Sequence, residues 1–430
     1  MAQMPILVVL AGGSSSRMWP LREKLLLRFG TEPLLVSQLR RFQAFGFQEA
    51  VVVASPTNAE DVRSLATQIG GMSIRVVVQT EPKGMGDALL QAAPLLPAKV
   101  GTSIYVVQIH DVVDDSMHLD LLRAYQADPT ATYIAGYERE DYFPGGYLIV
   151  NPDGRITGIM EKPGAENRPS NLVNIVAHIH SNADELLEAI HVEYAKDDPN
   201  DDHYERAMDV LMKERVYRVV PYSGVWKALK YPWHVLDVME FFLSKIQGQV
   251  VAESASIAQT ATLIGDVYIG EGAKVFPGAS IVGPAYVGAH SIVGNNALVR
   301  HSMVLNYCNV GFTTEVARSY VSDNCDMHAC RVLDSVFAPG VNFSAGCTTA
   351  NLRIDRGRVP SMVKGQRIDT GRDKFGAVIG QGAFLSVDVM TMPGVKVGER
   401  VQVGPGTHVH QDLKDGQRIY VKQEVAIKDE

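Results

Sequence analysis

Short apolar runs alternate with longer stretches of helical periodicity over the first third of the chain. Alternation of buried strands with amphipathic helices is typical of a doubly wound sheet in which most strands are parallel. We therefore predict an α/β, Rossmann-like mixed sheet. The strands are expected at Ile6–Leu10, Ala50–Ala54, Ile74–Val78, Ile104–Val107 and Thr132–Ala135, with helices at Leu34–Phe45 and Asp61–Gln68.

The pattern continues with three further strand-like runs and then two helical stretches on either side of one more strand. These elements are expected to close one side of a pocket beside the sheet. The strands are predicted at Gly146–Val150, Ile156–Glu161, Leu172–His180 and Val216–Val220, and the helices at Tyr204–Lys213 and Trp233–Ile246.

The periodicity changes completely after residue 247, where an aliphatic residue recurs every six positions and a small residue sits four places further on. Each hexapeptide is then one side of a triangular coil, whose interior the aliphatic residue fills. We predict a domain at 1–247 and a left-handed parallel β-helix at 248–430. The aliphatic positions begin with Val251, Ile257, Leu263, Ile269, Val275, Ile281, Val287, Val293 and Val299.

The repeat is blurred between Leu305 and Val336 and returns at Ile379. Between these stretches, Asn351–Lys374 has the wrong period and carries seven basic residues, which predicts a loop outside the solenoid. Its charge is explained equally well by solvation and by anion binding.

Composition limits the partners. The net charge is −8 and no Lys/Arg run stands out, which argues against nucleic acid and against an anionic membrane surface. The apolar start Pro5–Leu10 is too short for a secretory signal, so we expect a cytoplasmic protein. The four cysteines lack the spacing of a zinc ribbon, which argues against a metal site.

The first strand runs into a Gly/Ser turn that includes Gly12 and Gly13, with Arg17 and Lys24 downstream. Glycines let a backbone approach a ligand closely, successive N–H groups bind anions, and the two cations neutralise phosphoryl oxygens. Taken alone, the turn has an equally good explanation as a purely structural feature.

Support comes from polar residues after two later strands. Gln79 follows the third strand, with Gly84 shortly after it, and Asp111 follows the fourth. In a doubly wound sheet these positions lie at the carboxyl ends of strands, where ligands bind. Gln79 can pair with a base edge and Asp111 can hold Mg²⁺; the alternative for Asp111 is a helix N-cap.

The N-terminal half resembles the sugar-phosphate nucleotidylyltransferase family. The matching segments are LAGGSSSR with Lys24, QTEPKGMGDA, HD at Asp111, GGYLIV, IMEKP and NLVNIVAHI. The resemblance implies a nucleoside triphosphate and a sugar-1-phosphate as substrates, with Mg²⁺ as cofactor. It assigns the base to Leu10, Ala11, Gln79 and Gly84, the triphosphate to Arg17 and Lys24, and the sugar phosphate to Gly146, Glu161, Lys162 and Asn174.

Singly, Glu161 and Lys162 are also explained as a surface ion pair. The C-terminal half resembles the β-helix of bifunctional enzymes that make UDP-N-acetylglucosamine, archaeal members in particular, through ANLRID, VKGQRIDTGRDKFGAVIG and MPGVKVG. The resemblance implies acetyl transfer from acetyl-CoA with His328 as general base. It adds Asn342, Ala345 and Asn351 as acyl-site candidates, and it implies a homotrimer. The alternative is that His328 is a structural residue.

Several positions depart from the family pattern. Ser15 replaces a glycine and adds a Cβ where the backbone can need a positive φ. Ala228 stands where the family has a second Mg²⁺ ligand, and alanine cannot coordinate a metal. In the β-helix, Arg331 replaces a tyrosine, and Arg356 and Arg358 replace lysines.

Two functions therefore stay open. The first is an active nucleotidylyltransferase, with or without an acetyltransferase site. The second is a nucleotide-sugar sensor or assembly subunit with weakened catalysis, which Ala228 and Ser15 favour.

Overall fold

A computed structural model describes residues 3–13, 15–97, 101–143, 145–196 and 202–428. By its internal contacts the chain divides into two compact units, of which the first is Met1–Ser14 with Leu34–Trp226. The second unit is Ser15–Pro33 with Lys227–Glu430. The predicted boundary after residue 247 stays a prediction.

The first unit contains a nine-stranded mixed sheet, as the alternating pattern predicts. All the strands predicted from Ile6 to Val220 are present, and their ends differ from the predicted ones by at most three residues. The strands are β1 (Ile6–Leu10), β2 (Glu49–Ala54), β3 (Ser73–Val78), β4 (Ile104–Gln108), β5 (Thr132–Glu138), β6 (Gly146–Val150), β7 (Ile156–Glu161), β8 (Leu172–His180) and β9 (Tyr217–Tyr222).

The sheet is parallel in its first half and mixed in its second. Strand β1 lies between β2 and β4, both parallel to it, and β3 continues on the far side of β2. Strand β8 runs antiparallel to β4, β5 and β6, β7 is antiparallel to β6, and β9 is parallel to β5. The loops after β1, β3 and β4 therefore leave the sheet at the same edge, as predicted.

The described residues of the first unit form six helices. Helices α3, α5 and α6 cover one face, where Leu89, Ile190 and Met208 join Val8 and Val106 in one buried cluster. Among the described residues, no helix is long and apolar enough to cross a membrane. The helices are α1 (Leu34–Ala44), α2 (Ala59–Ala66), α3 (Gly84–Ala92), α4 (Asp115–Ala127), α5 (Ala183–Tyr194) and α6 (His203–Met212), with 3₁₀ turns at Ala93–Leu95 and Ala165–Asn167.

The second unit contains helix α7 (His234–Leu243) and a three-sided solenoid. Its short strands pair in parallel, coil upon coil, which confirms the predicted left-handed β-helix. One side is Gln249–Val251, Val267–Ile269, Ala285–Val287, Met303–Val304, Tyr320–Val321, Val336–Phe337, Ala377–Ile379 and Val395–Val397. The second is Ser256–Ile257, Lys274–Val275, Ile292–Val293, Asn309–Val310, Asp326–Met327, Asn342–Phe343, Phe384–Leu385, Gln402–Val403 and Arg418–Ile419. The third is Thr262–Ile264, Ser280–Val282, Leu298–Arg300, Glu315–Ala317, Arg331–Leu333, Thr348–Thr349, Met390–Thr391 and His408–Val409.

The solenoid interior is a continuous column of buried side chains from successive coils. Coil length explains the blurred repeat, because Val275 pairs with Val293, whereas Val310 pairs with Met327 and Met327 with Phe343. The later coils are thus first one residue and then two residues shorter than the coil from Val275 to Val293. All four cysteines are free and buried in this unit.

Residues 351–374 leave the solenoid, as predicted, but they are not a plain loop. Strands Pro360–Val363 and Gln366–Asp369 form an antiparallel hairpin. Three of the seven basic residues are in ion pairs, namely Arg353 with Asp355, Arg358 with Asp369, and Arg372 with Asp237. Much of the segment's charge is therefore compensated within the chain.

Two isoleucines in adjacent coils give a matched test of the solenoid. Ile281 is fully buried, whereas Ile264 is 53% exposed. We expect Ile281→Ala to lower the free energy of unfolding by about 2–5 kcal/mol, because it leaves a cavity. Ile264→Ala should change it by less than about 0.5 kcal/mol. Denaturant unfolding monitored by circular dichroism measures both; equal losses would contradict the inward direction of Ile281.

Candidate functional site

The turn after β1 is held close to the neighbouring strand. The Ala11 N–H donates to the Val53 carbonyl at 2.9 Å, and the Asn58 side-chain amide donates to the Ala11 carbonyl at 3.0 Å. Gly13 has φ +111°, a conformation that favours glycine. Ser14 lies outside the described residues.

Gln79 lies against this turn at the end of β3. A Cβ at Gly12 would be 3.2 Å from the Gln79 Oε1 atom, so the glycine lets the two segments approach. The Gln79 Nε2 group donates to the Gly84 carbonyl at 2.9 Å and to Asp87 Oδ2 at 2.7 Å. Both amide hydrogens are thus used, and Gln79 presents its carbonyl oxygen as an acceptor beside Gly12.

Asp111 begins a short strand, Asp111–Val113, directly after β4. The alternative that Asp111 caps the next helix is wrong, because the N-cap residue of α4 is Asp114. No group of three or more His, Cys, Asp or Glu side chains suited to a metal exists among the described residues. The donor set fits Mg²⁺ held by one carboxylate together with substrate phosphates, which is common for this ion.

Gly146, Glu161 and Asn174 lie together across β6, β7 and β8. A Cβ at Gly146 would be 3.0 Å from Glu161 Oε2 and 3.6 Å from the Asn174 Cβ. Glycine at this position lets the Glu161 carboxylate and the Asn174 side chain approach the backbone of β6 closely. Lys162 follows with its ammonium group 3.3 Å from Glu161 Oε1, so the ion pair foreseen from the sequence is present.

Arg17 and Lys24 belong to the second unit, in the segment Ser15–Pro33. The Arg17 guanidinium lies 5.8 Å from the centre of the Tyr231 ring, in cation–π geometry. Lys24 begins a 3₁₀ turn, Lys24–Leu26. Ser15 has φ +44°, so the position that replaces the family glycine does have a positive φ.

This segment is attached to the last coils of the solenoid. The Trp19 indole N–H donates to Asp415 Oδ1 at 3.0 Å, and the Arg22 guanidinium forms two hydrogen bonds with Glu399. The Lys396 ammonium group lies 4.8 Å from the centre of the Trp19 ring. Polar contacts rather than local helix or strand formation therefore determine the path of the segment around Trp19.

His328 lines a surface pocket of about 310 Å³ in the solenoid, with Asn342 and Ala345 on the wall of the same pocket. The side chain of His328 is exposed, and Asp326, Ser344 and Phe384 are among the other residues of the lining. Three of the four residues predicted for acyl transfer therefore come together.

Asn351 lies elsewhere, at a corner after the strand Thr348–Thr349. Its amide donates to Asp334, a buried carboxylate that also pairs with Arg318 at 2.6 Å. Asn351 is thus part of an ion-pair network and does not line the His328 pocket. Arg331 is exposed in the third side, and Arg358 pairs with Asp369.

Sequence reasoning missed Asp87, which orients Gln79, and Asp334, which binds Asn351. Asp87 lies within the GMGDA segment on the first turn of α3. Its closeness to Gln79 in the sequence was the available signal. Asp334 gave none, because an acidic residue at a β-helix corner has no distinctive pattern.

Comparison with known proteins identifies the family of this chain. The nucleotidyl transferase family model matches residues 6–226, just over half of the chain. The chain belongs to the nucleotidyl transferase family. The bacterial transferase hexapeptide model, which comprises six repeats, matches residues 252–301. Membership in the family confirms the predicted class of enzyme, and the hexapeptide match agrees with the coil periodicity.

Curated relatives of this nucleotidyl transferase span both halves. A bifunctional sugar-1-phosphate nucleotidylyltransferase/acetyltransferase from Sulfurisphaera tokodaii is 28% identical over 417 residues, covering 95% of this chain and 98% of that protein. The bifunctional protein GlmU of Methanococcus vannielii is 28% identical over 431 residues, with 98% and 99% covered. A UDP-glucose pyrophosphorylase crystal structure aligns with 56% of this chain and all of its own, at 18% identity and a TM-score of 0.48.

The contact between Gln79 and Asp87 is open to a direct test. In Asp87→Ala the Gln79 amide loses one acceptor and its fixed orientation, so nucleoside triphosphate affinity should fall about fivefold, equivalent to about 1 kcal/mol. Gln91→Ala is the control, because Gln91 bonds the other Asp87 oxygen at 3.3 Å. Titration calorimetry with UTP compares the variants; equal losses in both would show that Asp87 acts only on helix stability.

Proposed function

We propose that the chain transfers a nucleotidyl group from a nucleoside triphosphate to a sugar-1-phosphate, forming a nucleotide sugar and pyrophosphate. The observation that carries the choice of acceptor is the close approach of Glu161 and Asn174 to Gly146. A carboxylate that accepts and an amide that donates are suited to the hydroxyl groups of a sugar. The names of the curated relatives point to the same acceptor class.

The state of Gln79 supports a particular kind of base. Since both Nε2 hydrogens are engaged by Gly84 and Asp87, the Gln79 oxygen can accept a hydrogen bond from a ring N–H. Uracil and thymine have such a group at N3, whereas the corresponding nitrogen of cytosine is an acceptor. Leu10, Ala11, Gly12 and Gly13 would complete the base and ribose end.

The chemistry needs no protein nucleophile. An oxygen of the sugar phosphate attacks the α-phosphorus, and the bond from that phosphorus to the α,β-bridging oxygen breaks, so pyrophosphate leaves with its electron pair. Arg17 and Lys24 would bind the triphosphate and stabilise the charge that develops on the leaving group. Asp111 would hold Mg²⁺, which supplies further charge neutralisation when bound.

The His328 pocket supports a second activity in the solenoid. A neutral imidazole accepts a proton from a sugar amine while that amine attacks the thioester carbonyl of acetyl-CoA, and the thiolate leaves. Asn342 and Ala345 would contact the acyl acceptor or donor. Asn351, held by Asp334, would act only through that network. A homotrimer, typical of hexapeptide solenoids, completes the proposal.

Pyrophosphate release tests the first activity. With Mg²⁺, we expect release from UTP or dTTP with one of glucose-1-phosphate, N-acetylglucosamine-1-phosphate and glucosamine-1-phosphate, and none from CTP. Lys24→Ala should lower turnover by about 10²–10³-fold, because a group that stabilises transition-state charge is lost. Nucleotide binding without release in the wild type would favour the sensor alternative, in line with Ala228. Activity of Lys24→Ala at the wild-type rate would overturn the assignment.

Acetyl transfer is tested separately. His328→Ala should reduce thiol release from acetyl-CoA with glucosamine-1-phosphate by about 10²–10⁴-fold, since the general base is removed. Pyrophosphate release should stay at the wild-type rate, which serves as the internal control for folding. The proposed acyl site would be wrong if the wild type releases thiol and the variant matches it.

A further inference from the structure

A chain of hydrogen bonds runs from the proposed sugar-binding residue Asn174 to buried side chains. The Asn174 Oδ1 atom is 2.8 Å from His178 Nε2, and His178 Nδ1 is 2.8 Å from the Tyr204 hydroxyl. The same hydroxyl is 2.8 Å from His180 Nε2. His178, His180 and Tyr204 are buried, so no solvent competes for these bonds.

The backbone of β8 explains why Asn174 and His178 meet. The pairing of β8 with β5 shifts between Ile175 and His178, which places Asn174 opposite Gly136 and His178 opposite Ile134. Asn174 and His178, which are four residues apart in the sequence, thereby occupy consecutive positions on the same face of the sheet. Such bulges redirect side chains and recur beside binding sites.

The chemistry of the groups determines the direction of every bond in the chain. Burial lowers the pKa of His178 to about 3, although the nearby Ile175 carbonyl raises it, and burial also holds the pKa of His180 well below its usual range. Both rings are therefore neutral, with one N–H each. Burial raises the pKa of the Tyr204 hydroxyl, so it keeps its proton.

An amide oxygen only accepts, so the His178 hydrogen is on Nε2 and its Nδ1 accepts from Tyr204. The Tyr204 oxygen then accepts from His180 Nε2–H. His180 Nδ1 ends the chain as a buried atom with no hydrogen-bond partner among the described residues. The Asn174 oxygen thus accepts from the His178 N–H, which leaves the Asn174 NH₂ group as a donor outside this chain.

We propose that His178 is a positioning residue for the sugar phosphate, which holds the Asn174 oxygen so that the Asn174 NH₂ group donates to a sugar oxygen. Within the described part of the chain, that NH₂ group has no hydrogen-bond partner, and Asn174 lies beside Gly146. Glu161, on the other side of Gly146, only accepts when ionised. Gly146 is then flanked by a donor on one strand and an acceptor on the other.

This inference rests on the proposed function, in which Asn174 binds the sugar. The variants are His178→Leu, which removes the donor, His178→Gln, whose amide restores an N–H, and His180→Leu, a matched loss of a buried imidazole that does not contact Asn174. Binding is measured by calorimetry with UDP-N-acetylglucosamine and with UTP, so that no turnover is required.

His178→Leu should weaken UDP-N-acetylglucosamine about five- to tenfold, the size of one hydrogen bond, and leave UTP unchanged. His178→Gln and His180→Leu should bind both ligands as the wild type does. In an Asn174→Ala background, His178→Leu should have no further effect on the nucleotide sugar.

Three results would overturn the proposal: equal losses in His178→Leu and His180→Leu, an undiminished His178→Leu effect in the Asn174→Ala background, or no effect of His178→Leu. A crystal structure of His178→Leu, or of His178→Gln where the leucine variant does not fold, gives a readout independent of binding. An Asn174 side chain that keeps its rotamer without the His178 N–H contradicts the inference. Failure of the proposed function has a different signature, namely wild-type protein that binds UTP but neither binds the nucleotide sugar nor releases pyrophosphate.

Discussion

Parallel pairing of strands in register is the constraint on which both units depend. In the first unit, β1 is paired in parallel on both edges, with β2 and β4, so the chain must return each time by a helix and leave the sheet at one edge. In the second, each coil repeats the register of the one before it, so one inward side chain per strand must fill the column. Of the residues proposed to bind ligands, Gln79 and Asp111 follow the ends of β3 and β4, whereas Gly146, Glu161 and Asn174 lie within strands of the sheet.

Hydrogen bonds to neighbouring residues orient the side-chain amides of Gln79 and Asn174 in opposite ways. Gln79 has its donors engaged by Gly84 and Asp87, so it can only accept beside Gly12. Asn174 has its oxygen held by the His178 N–H, so its NH₂ group is the donor left beside Gly146. An amide in solution offers both kinds of group and discriminates poorly. Neighbouring residues thus orient each amide, and under the proposed function they would determine which group each amide presents to the ligand.

Periodicity was enough to predict nearly all strands, both fold classes and the excursion at 351–374. Motif resemblance brought Gly146, Glu161 and Asn174 into one expected site, and in the structure Glu161 and Asn174 both lie beside Gly146. Other features depend on three-dimensional neighbours that spacing does not encode. The cap of α4 falls on Asp114 because residues 111–113 pair as a strand, and Asn351 is bound to Asp334 across a coil. In the sequence, His178 looks like any other strand histidine, because the bulge in β8 is visible only in the structure. The shortened coils cannot be distinguished in the sequence from a loss of the repeat.

The attachment of Trp19 and Arg22 to Asp415 and Glu399 has a consequence for biosynthesis. The indole and its acceptor are 396 positions apart in the sequence. At about 5–20 residues per second, the ribosome needs roughly 20–80 s after making Trp19 before Asp415 exists. During that interval the segment that carries Arg17 and Lys24 lacks the surface it rests on, so it must be among the last parts of the chain to assume its final conformation. Maturation of this segment, which under the proposed function binds the triphosphate, is thus timed by completion of the C-terminal coils, although its residues are translated first.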